Sequence, residues 1–194
     1  MSARFTEVPE AHIIRFVAEN PVAWIVPHSE PADAILMPML LECDAKGRPS
    51  TLLGHLPRSG QIVHDLLADA RATCLFLGPH SYIPPGWISK PGWAPTWNFV
   101  SLKISGKVTP DDALTEEAVR TLVTHMESRA GSDWTIDRVG ARLEGLLRGI
   151  IGFRMQIDRI QPRFKTGQDE SDQSRSEIQM HLDGHALRAW MDRT

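Results

Sequence analysis

Along WNFVSLKISGKV (97–108), Phe99, Ser101, Lys103 and Ser105 alternate with Val100, Leu102 and Ile104. Strand side chains point to opposite faces with period two, so this is the pattern of a strand with one face buried. Its neighbours repeat the constraint. VAWIV (22–26), ATCLFLG (72–78) and IIGFRMQIDRI (150–160) read as strands. AILMPMLLEC (34–43) and PSTLLGHL (49–56) read as a hairpin around the turn residues Asp44 to Arg48. Pro38 lacks an amide proton and points to an edge or a bulge in the first arm. Strands joined mostly by hairpins and a few helices, without strict strand–helix alternation, predict an antiparallel barrel with peripheral helices.

The helices follow from 3.6-residue spacing and end signals. Pro9 suits a first helical position, Ile13, Ile14 and Val17 share a face, and Asn20-Pro21 stops that helix. Ser59 is placed to cap a helix running to about Asp69. Thr109-Pro110-Asp111-Asp112 reads as the start of a helix to about Arg129, with Leu114, Ala118, Leu122 and Met126 in one stripe. A second helix is expected near Asp133–Arg148, and IQMHLDGHALRAWM closes the chain with helical spacing interrupted by Gly184. Between Gly78 and Pro95 no period is visible. Loops beyond about 12–15 residues are uncommon in compact domains, and Tyr82, Ile83, Trp87 and Trp93 argue for an ordered, proline-stiffened loop. Residues 162–177 are polar and read as mobile or partner-dependent.

Composition sets the outer limits. Among 194 residues, 42% are hydrophobic and 23% charged, enough apolar material for a core without staples. The net charge of −3, with no basic cluster and no helix-turn-helix pattern, offers no electrostatic footprint for nucleic acid. Cys43 and Cys74 lie in apolar runs and read as reduced, buried thiols. No apolar run approaches the ~20 residues of a membrane span, and MSARFTEVPEAHII lacks the apolar stretch of a signal peptide, so a soluble cytoplasmic protein is expected. His181-x-x-x-His185 straddles a glycine in a polar tail, and no metal site is expected. No P-loop, G-x-G-x-x-G, G-x-S-x-G or Cys-x-x-Cys occurs.

Two stretches could carry chemistry. In GHLPRSG (54–60), Arg58 and Ser59 precede a helix, where free amides, the dipole and a guanidinium suit a phosphate. The alternative is a cap beside a solvated arginine, with His55 a hydrogen-bonded structural histidine. In PTWNF (95–99), Trp97 and the Asn98 amide suit the face and edge of an aromatic ring system, while a core anchor at a strand start explains the same residues.

ENPVAWIV, LLGHLPRSG, FLGPHSYIPPGWI, PTWNF followed by SLKISGKV, and GIIGFRMQIDRIQPRFK occur in an order and spacing that resemble the PaiB-like FMN-binding negative transcriptional regulators. These are a branch of the FMN-binding split-barrel superfamily. The resemblance runs from about Phe5 to Gln168. It implies a mainly β fold, a six-stranded antiparallel split barrel over residues 1–165 with inserted helices at 110–148, then a polar linker and C-terminal helix (166–194). It implies a homodimer holding FMN at the subunit interface. His55, Arg58 and Ser59 would meet the phosphate, Thr96, Trp97 and Asn98 the ring, and Lys165 and Gln168 match the family's K-L-S-Q-N motif. Ile35-Leu36-Met37-Pro38 stands where the family has T-H-L-P, GHLPRSGQ where it has G-H-x-A-R-x-N-P, and Lys165-Thr166-Gly167-Gln168-Asp169 where it has K-L-S-Q-N. Each charged hydrogen bond lost from a phosphate costs ~1–3 kcal/mol, so these departures weaken FMN binding. The functions implied are a flavin-dependent redox protein or a flavin-responsive regulator. The alternatives are a regulator acting on DNA or through a partner, and a barrel that binds another planar ligand such as haem. No catalytic acid or base stands out.

Overall fold

The computed structural model describes residues 3–192. Six strands close into an antiparallel barrel in the order β1 (Val22–Pro27), β2 (Ile35–Cys43), β3 (Pro49–Pro57), β6 (Ile150–Lys165), β5 (Thr96–Asp111) and β4 (Arg71–Ile83). This is the split barrel that the strand pattern and the resemblance predict. Outside the strands lie α1 (Glu10–Glu19), α2 (Gln61–Ala68), α3 (Thr115–Ala130), α4 (Arg142–Leu147), α5 (Asp172–His181) and α6 (Arg188–Met191).

The register explains the alternation. β1 pairs with β2 from Val22↔Pro38 to Ile25↔Ile35, and with β4 from Ala23↔Phe76 to Pro27↔Ala72. Ala23 and Ile25 are buried, while Val22 and Trp24 on the other face are exposed. β2 pairs with β3 from Met39↔Gly54 to Cys43↔Pro49, and β3 with β6 from Thr51↔Gln156 to Pro57↔Ile150. Pro38 is the last β2 residue paired to β1, and Met39 the first paired to β3. The proline therefore sits where the strand changes neighbour, and the register shift falls at Glu42/Cys43 instead.

The chain divides into two compact units. One comprises Ile14–Phe76 and Lys103–Ile160; the other comprises Leu77–Leu102, Gln161 onward and the residues up to Ile13. In the first, Phe16 meets Phe76 edge-on at 6.5 Å, and Cys74 and Met155 lie with their sulfurs 3.8 Å apart. In the second, Phe164 meets Trp190 edge-on at 5.5 Å, beside fully buried Ile178, Leu187 and Met191.

Several local expectations are corrected. The segment from Gly78 is not all loop, because β4 continues to Ile83 and a 3-10 turn covers Pro85–Trp87. The Thr109–Asp112 helix start does not form. The Val108 amide is taken by Ala70 O, β5 runs on to Asp111, and the Asp111 carboxylate caps a 3-10 turn before α3 begins at Thr115. Of the expected α3 stripe, Ala118 is buried and Leu122 half-buried, whereas Met126 is exposed and Thr115 is buried in addition. Asp133–Arg148 is a 3-10 turn (Ile136–Val139) and the short α4, separated at Gly140. Residues 162–177 are ordered as the end of β6, a turn and the start of α5. Cys74 is buried as expected, but Cys43, at the bulge, is exposed.

Candidate functional site

The residues singled out from the sequence fall into both units, and each group is described within its own. In the first unit, His55 lies on β3 opposite Gly152 of β6. It is half-buried, and its Nδ1 is a buried atom with no hydrogen-bond partner among the described residues. Burial holds its pKa below the ordinary histidine value, which favours the neutral ring. Arg58 follows the end of β3. Its Nε donates to Arg148 O at 3.0 Å, and its Nη2 donates to Ile150 O at 2.8 Å and to the Asp112 carboxylate. Its own amide donates to Gly149 O at 3.0 Å. The side chain thus pins the turn that leads into β6. Among the described residues these bonds use Nε and Nη2, and the Nη1 donors remain for an anion. A cleft of about 260 Å³ beside it is also lined by Asp112, Glu116, Glu144 and Arg148, so acids outnumber bases there. An anion would have to approach from elsewhere. Ser59 is exposed and does not cap α2; Gly60 is the N-cap and contributes no side-chain bond. The tight Pro57–Gly60 turn, closed by Gly60 N to Pro57 O at 3.0 Å, moves the helix start one residue beyond the serine.

In the second unit the start of β5 meets the end of β6. Lys165 Nζ donates to Thr96 Oγ1. Trp97 is 53% exposed and lies 5.7 Å from the Tyr82 ring and 6.2 Å from the His80 ring. His80 Nδ1 donates to Gly78 O at 3.1 Å, because a carbonyl can only accept, and this leaves Nε2 as an acceptor in the neutral ring. The result is an exposed aromatic face formed by Trp97, Tyr82 and His80. Asn98 behaves differently. It is 1% exposed, and its Nδ2 has no partner among the described residues. A Cβ on Gly167 would lie 3.6 Å from that nitrogen and 3.3 Å from Met191 Cε, so residues of the C-terminal segment cover the amide. Gln168 is committed to its own turn: its Oε1 accepts from Thr166 N at 2.8 Å and its Nε2 donates to Phe164 O at 2.6 Å.

The aromatic loop after β4 is held by the polar tail. Trp93 Nε1 donates to Glu170 at 2.9 Å, Ser89 N donates to Glu177 at 2.9 Å, and Gln173 reaches Ser89 Oγ at 2.8 Å. Trp87 stacks on His181 at 4.8 Å. Polar residues that read as mobile or partner-dependent are therefore contacts to the loop.

The structure brings Thr96 to Lys165 and sets Trp97 beside them in sequence, exposed. It seals Asn98 and spends Gln168 on a turn. His80 and Tyr82 are the site candidates that the sequence reading missed. Their signal was the spacing of two in FLGPHSYI, which puts both on one face once β4 is extended to Ile83.

A closed six-stranded antiparallel barrel of this order, with its helices outside, defines the flavin-type split-barrel class. Residues 1–159 match the family described as "Putative FMN-binding domain", and the chain belongs to that family. Protease synthase and sporulation protein PAI 2 of Bacillus subtilis (strain 168) is 27% identical over 163 residues, which cover 82% of this chain and 77% of that protein. The fold is shared with a conserved hypothetical protein of Mycobacterium tuberculosis, at 13% identity and a TM-score of 0.58 over 85% of this chain and 89% of that one. It is also shared with the FAD and heme binding protein of Mycobacterium smegmatis, at 13% identity and a TM-score of 0.53 over 89% and 78%. No helix among the described residues is long and apolar enough to cross a membrane.

Proposed function

We propose that this protein binds FMN as a homodimer and serves as a flavin-dependent redox protein or a flavin-responsive regulator. The observation that carries the ligand is the exposed Trp97–Tyr82–His80 face. Exposed aromatic rings are costly to leave in water and suit stacking against a planar ring system. The family description points the same way. The resemblance assigns the phosphate to His55 and Arg58: His55 has a buried ring nitrogen without a partner among the described residues, and Arg58 keeps its Nη1 donors. Asn98 fits less well, since a ligand reaches its amide only if the residues around Gly167 shift. A bound flavin supplies the hydride or electron chemistry; the chain's residues bind and orient it.

The homodimer rests on a second surface. Trp24 faces Leu36 across the β1–β2 pair and Leu75 across the β1–β4 pair, and the three are 49%, 48% and 38% exposed. A row of apolar side chains over three adjacent strands is a protein-interaction face, and the resemblance supplies a second copy as its occupant. The regulatory reading draws on the name of the Bacillus subtilis relative.

The test is an absorbance spectrum from 300 to 700 nm with and without added FMN, on protein fractionated by size. Flavin bands travelling with a dimer are expected. A colourless protein that ignores FMN overturns the reading, and a Soret band would assign haem in its place.

A further inference from the structure

The first unit has a recess of about 250 Å³ between α1, β2 and α3, lined by Ile14, Ala18, Leu40, Leu41, Glu42, Thr121 and His125, none of them among the site residues described above. At ~30 Å³ of liquid per water this is room for roughly eight waters, or for a small ring with one substituent. Its walls are apolar: Ile14 and Ala18 stand one turn apart on α1, and Leu40 and Leu41 come from β2. Each of its polar groups can accept a hydrogen bond, and the Thr121 hydroxyl can also donate one. His125 and Thr121 lie at helical spacing on the α3 face that also carries Glu117. His125 Nε2 donates to Ala18 O at 2.9 Å, so the other nitrogen of the neutral ring is an acceptor. The Thr121 hydroxyl makes no hydrogen bond among the described residues and can accept. The Glu42 carboxylate accepts from Arg154 at 2.8 and 3.0 Å and from Thr51 at 2.6 Å, and it retains lone-pair capacity. Arg154 is the one guanidinium of this network, and it is consumed by Glu42 and by Glu117, 2.9 Å away. Two carboxylates against one guanidinium leave the network with a net negative charge.

An apolar recess whose polar groups can each accept a hydrogen bond, beside a net negative charge, disfavours carboxylates and phosphates and favours a cationic donor. We infer that this recess binds a small organic amine in its ammonium form, the apolar body against Ile14, Ala18, Leu40 and Leu41 and the ammonium against Glu42 and the Thr121–His125 face. The site is independent of the flavin reading. It offers the chain a way to respond to an amine without any contact to the aromatic face of Trp97.

Cyclohexylamine, cyclohexanol and cyclohexanecarboxylate share one body and differ in charge, and titration of each at pH 7.5 with amide NMR shifts as the readout tests the assignment. The amine is expected to bind at least tenfold more tightly than the other two, with shifts centred on α1, β2 and α3. Ala18→Phe, which fills the recess and keeps the backbone carbonyl that His125 uses, is expected to abolish the shifts without unfolding the chain. Glu42→Gln is expected to weaken the amine about tenfold. Absence of binding, equal binding of the alcohol or the carboxylate, or amine shifts that persist in Ala18→Phe overturns the inference. No flavin is present in these titrations, so their outcome does not depend on whether FMN binds.

Discussion

Gly152 of β6 donates its amide to Thr115 Oγ1 at 2.9 Å, and a Cβ on this glycine would stand 2.5 Å from the Leu114 carbonyl carbon. The first turn of α3 therefore rests directly on strand backbone, opposite His55. Gly152→Ala forces backbone apart and should cost ~1–3 kcal/mol, as overpacking does. Thr115→Val leaves a buried amide without an acceptor, at a similar cost. In a chain of this size each kcal/mol lowers Tm by roughly 2–4 °C. Urea denaturation checks both variants; a Gly152→Ala midpoint equal to wild type would show that α3 slides freely on β6.

The Arg58–Asp112 pair assigns two jobs to one arginine. Its bonds to Arg148 O and Ile150 O brace the turn before β6. In the proposed site its remaining donors face the phosphate. Arg58→Ala should lower Tm and weaken FMN binding at least tenfold. Asp112→Asn keeps the guanidinium charge and should leave FMN affinity within about threefold, because charge-assisted bonds to phosphate are stronger than neutral ones. Paired melting and FMN titrations read both. A lower Tm with unchanged FMN affinity in Arg58→Ala would make this arginine a brace alone.

Trp24 stands at the centre of the exposed row and its side chain is absent from the core, so Trp24→Glu should keep the fold. Two copies of the substituted face would bring like charges together in an apolar interface, where desolvation adds to repulsion. Light scattering after size fractionation should show monomer for the variant and dimer for wild type, with matching far-ultraviolet circular dichroism.

How far the sequence could be read depended on whether a signal was local. The barrel was legible because its alternation is written into each strand, as in Val100, Leu102 and Ile104 of β5, all buried. Thr109-Pro110-Asp111 misled because the Val108 amide is taken by Ala70, a partner far along the chain, which carries the strand past a good cap sequence. The polar tail misled for the same reason, since Glu170 and Glu177 find partners in the loop after β4 and so order both segments. At the site, residue types were legible and availability was not. Asn98 and Trp97 are adjacent in sequence, yet the strand turns one into the core and the other to solvent.

The two cysteines should separate cleanly. Cys74 is fully buried, and burial pushes its thiol up to about 12, so it holds almost no thiolate at pH 8. Cys43 is exposed. A disulfide reagent at pH 8 should titrate one thiol in the native protein, mapped to Cys43, and the second only in denaturant. Native modification of Cys74 would mean that the barrel opens beside β4, at its seam with β1 or with β5, on the timescale of the assay.

Acid should loosen the loop clasp through Glu177. The hydrogen bonds from the Ser89 hydroxyl and amide, followed by those from Gln173 and the field of His181, hold this carboxyl below its ordinary value of 4.5. A carboxyl whose folded value is depressed binds fewer protons folded than unfolded. Its stabilisation is therefore complete above the ordinary value and declines as pH falls through the folded one. Hydrogen exchange of Ser89 and its neighbours should be slow at pH 7 and should accelerate below pH 4.5 beyond the intrinsic pH dependence of the reaction. Glu177→Gln keeps the shape and removes the titration. It should exchange faster at pH 7 and lose that additional acid-dependent step, while Glu170→Gln, at the carboxylate that accepts from Trp93, should keep it. An acid step of wild-type size in Glu177→Gln would transfer the pH response to another group and leave Glu177 as an ordinary surface contact.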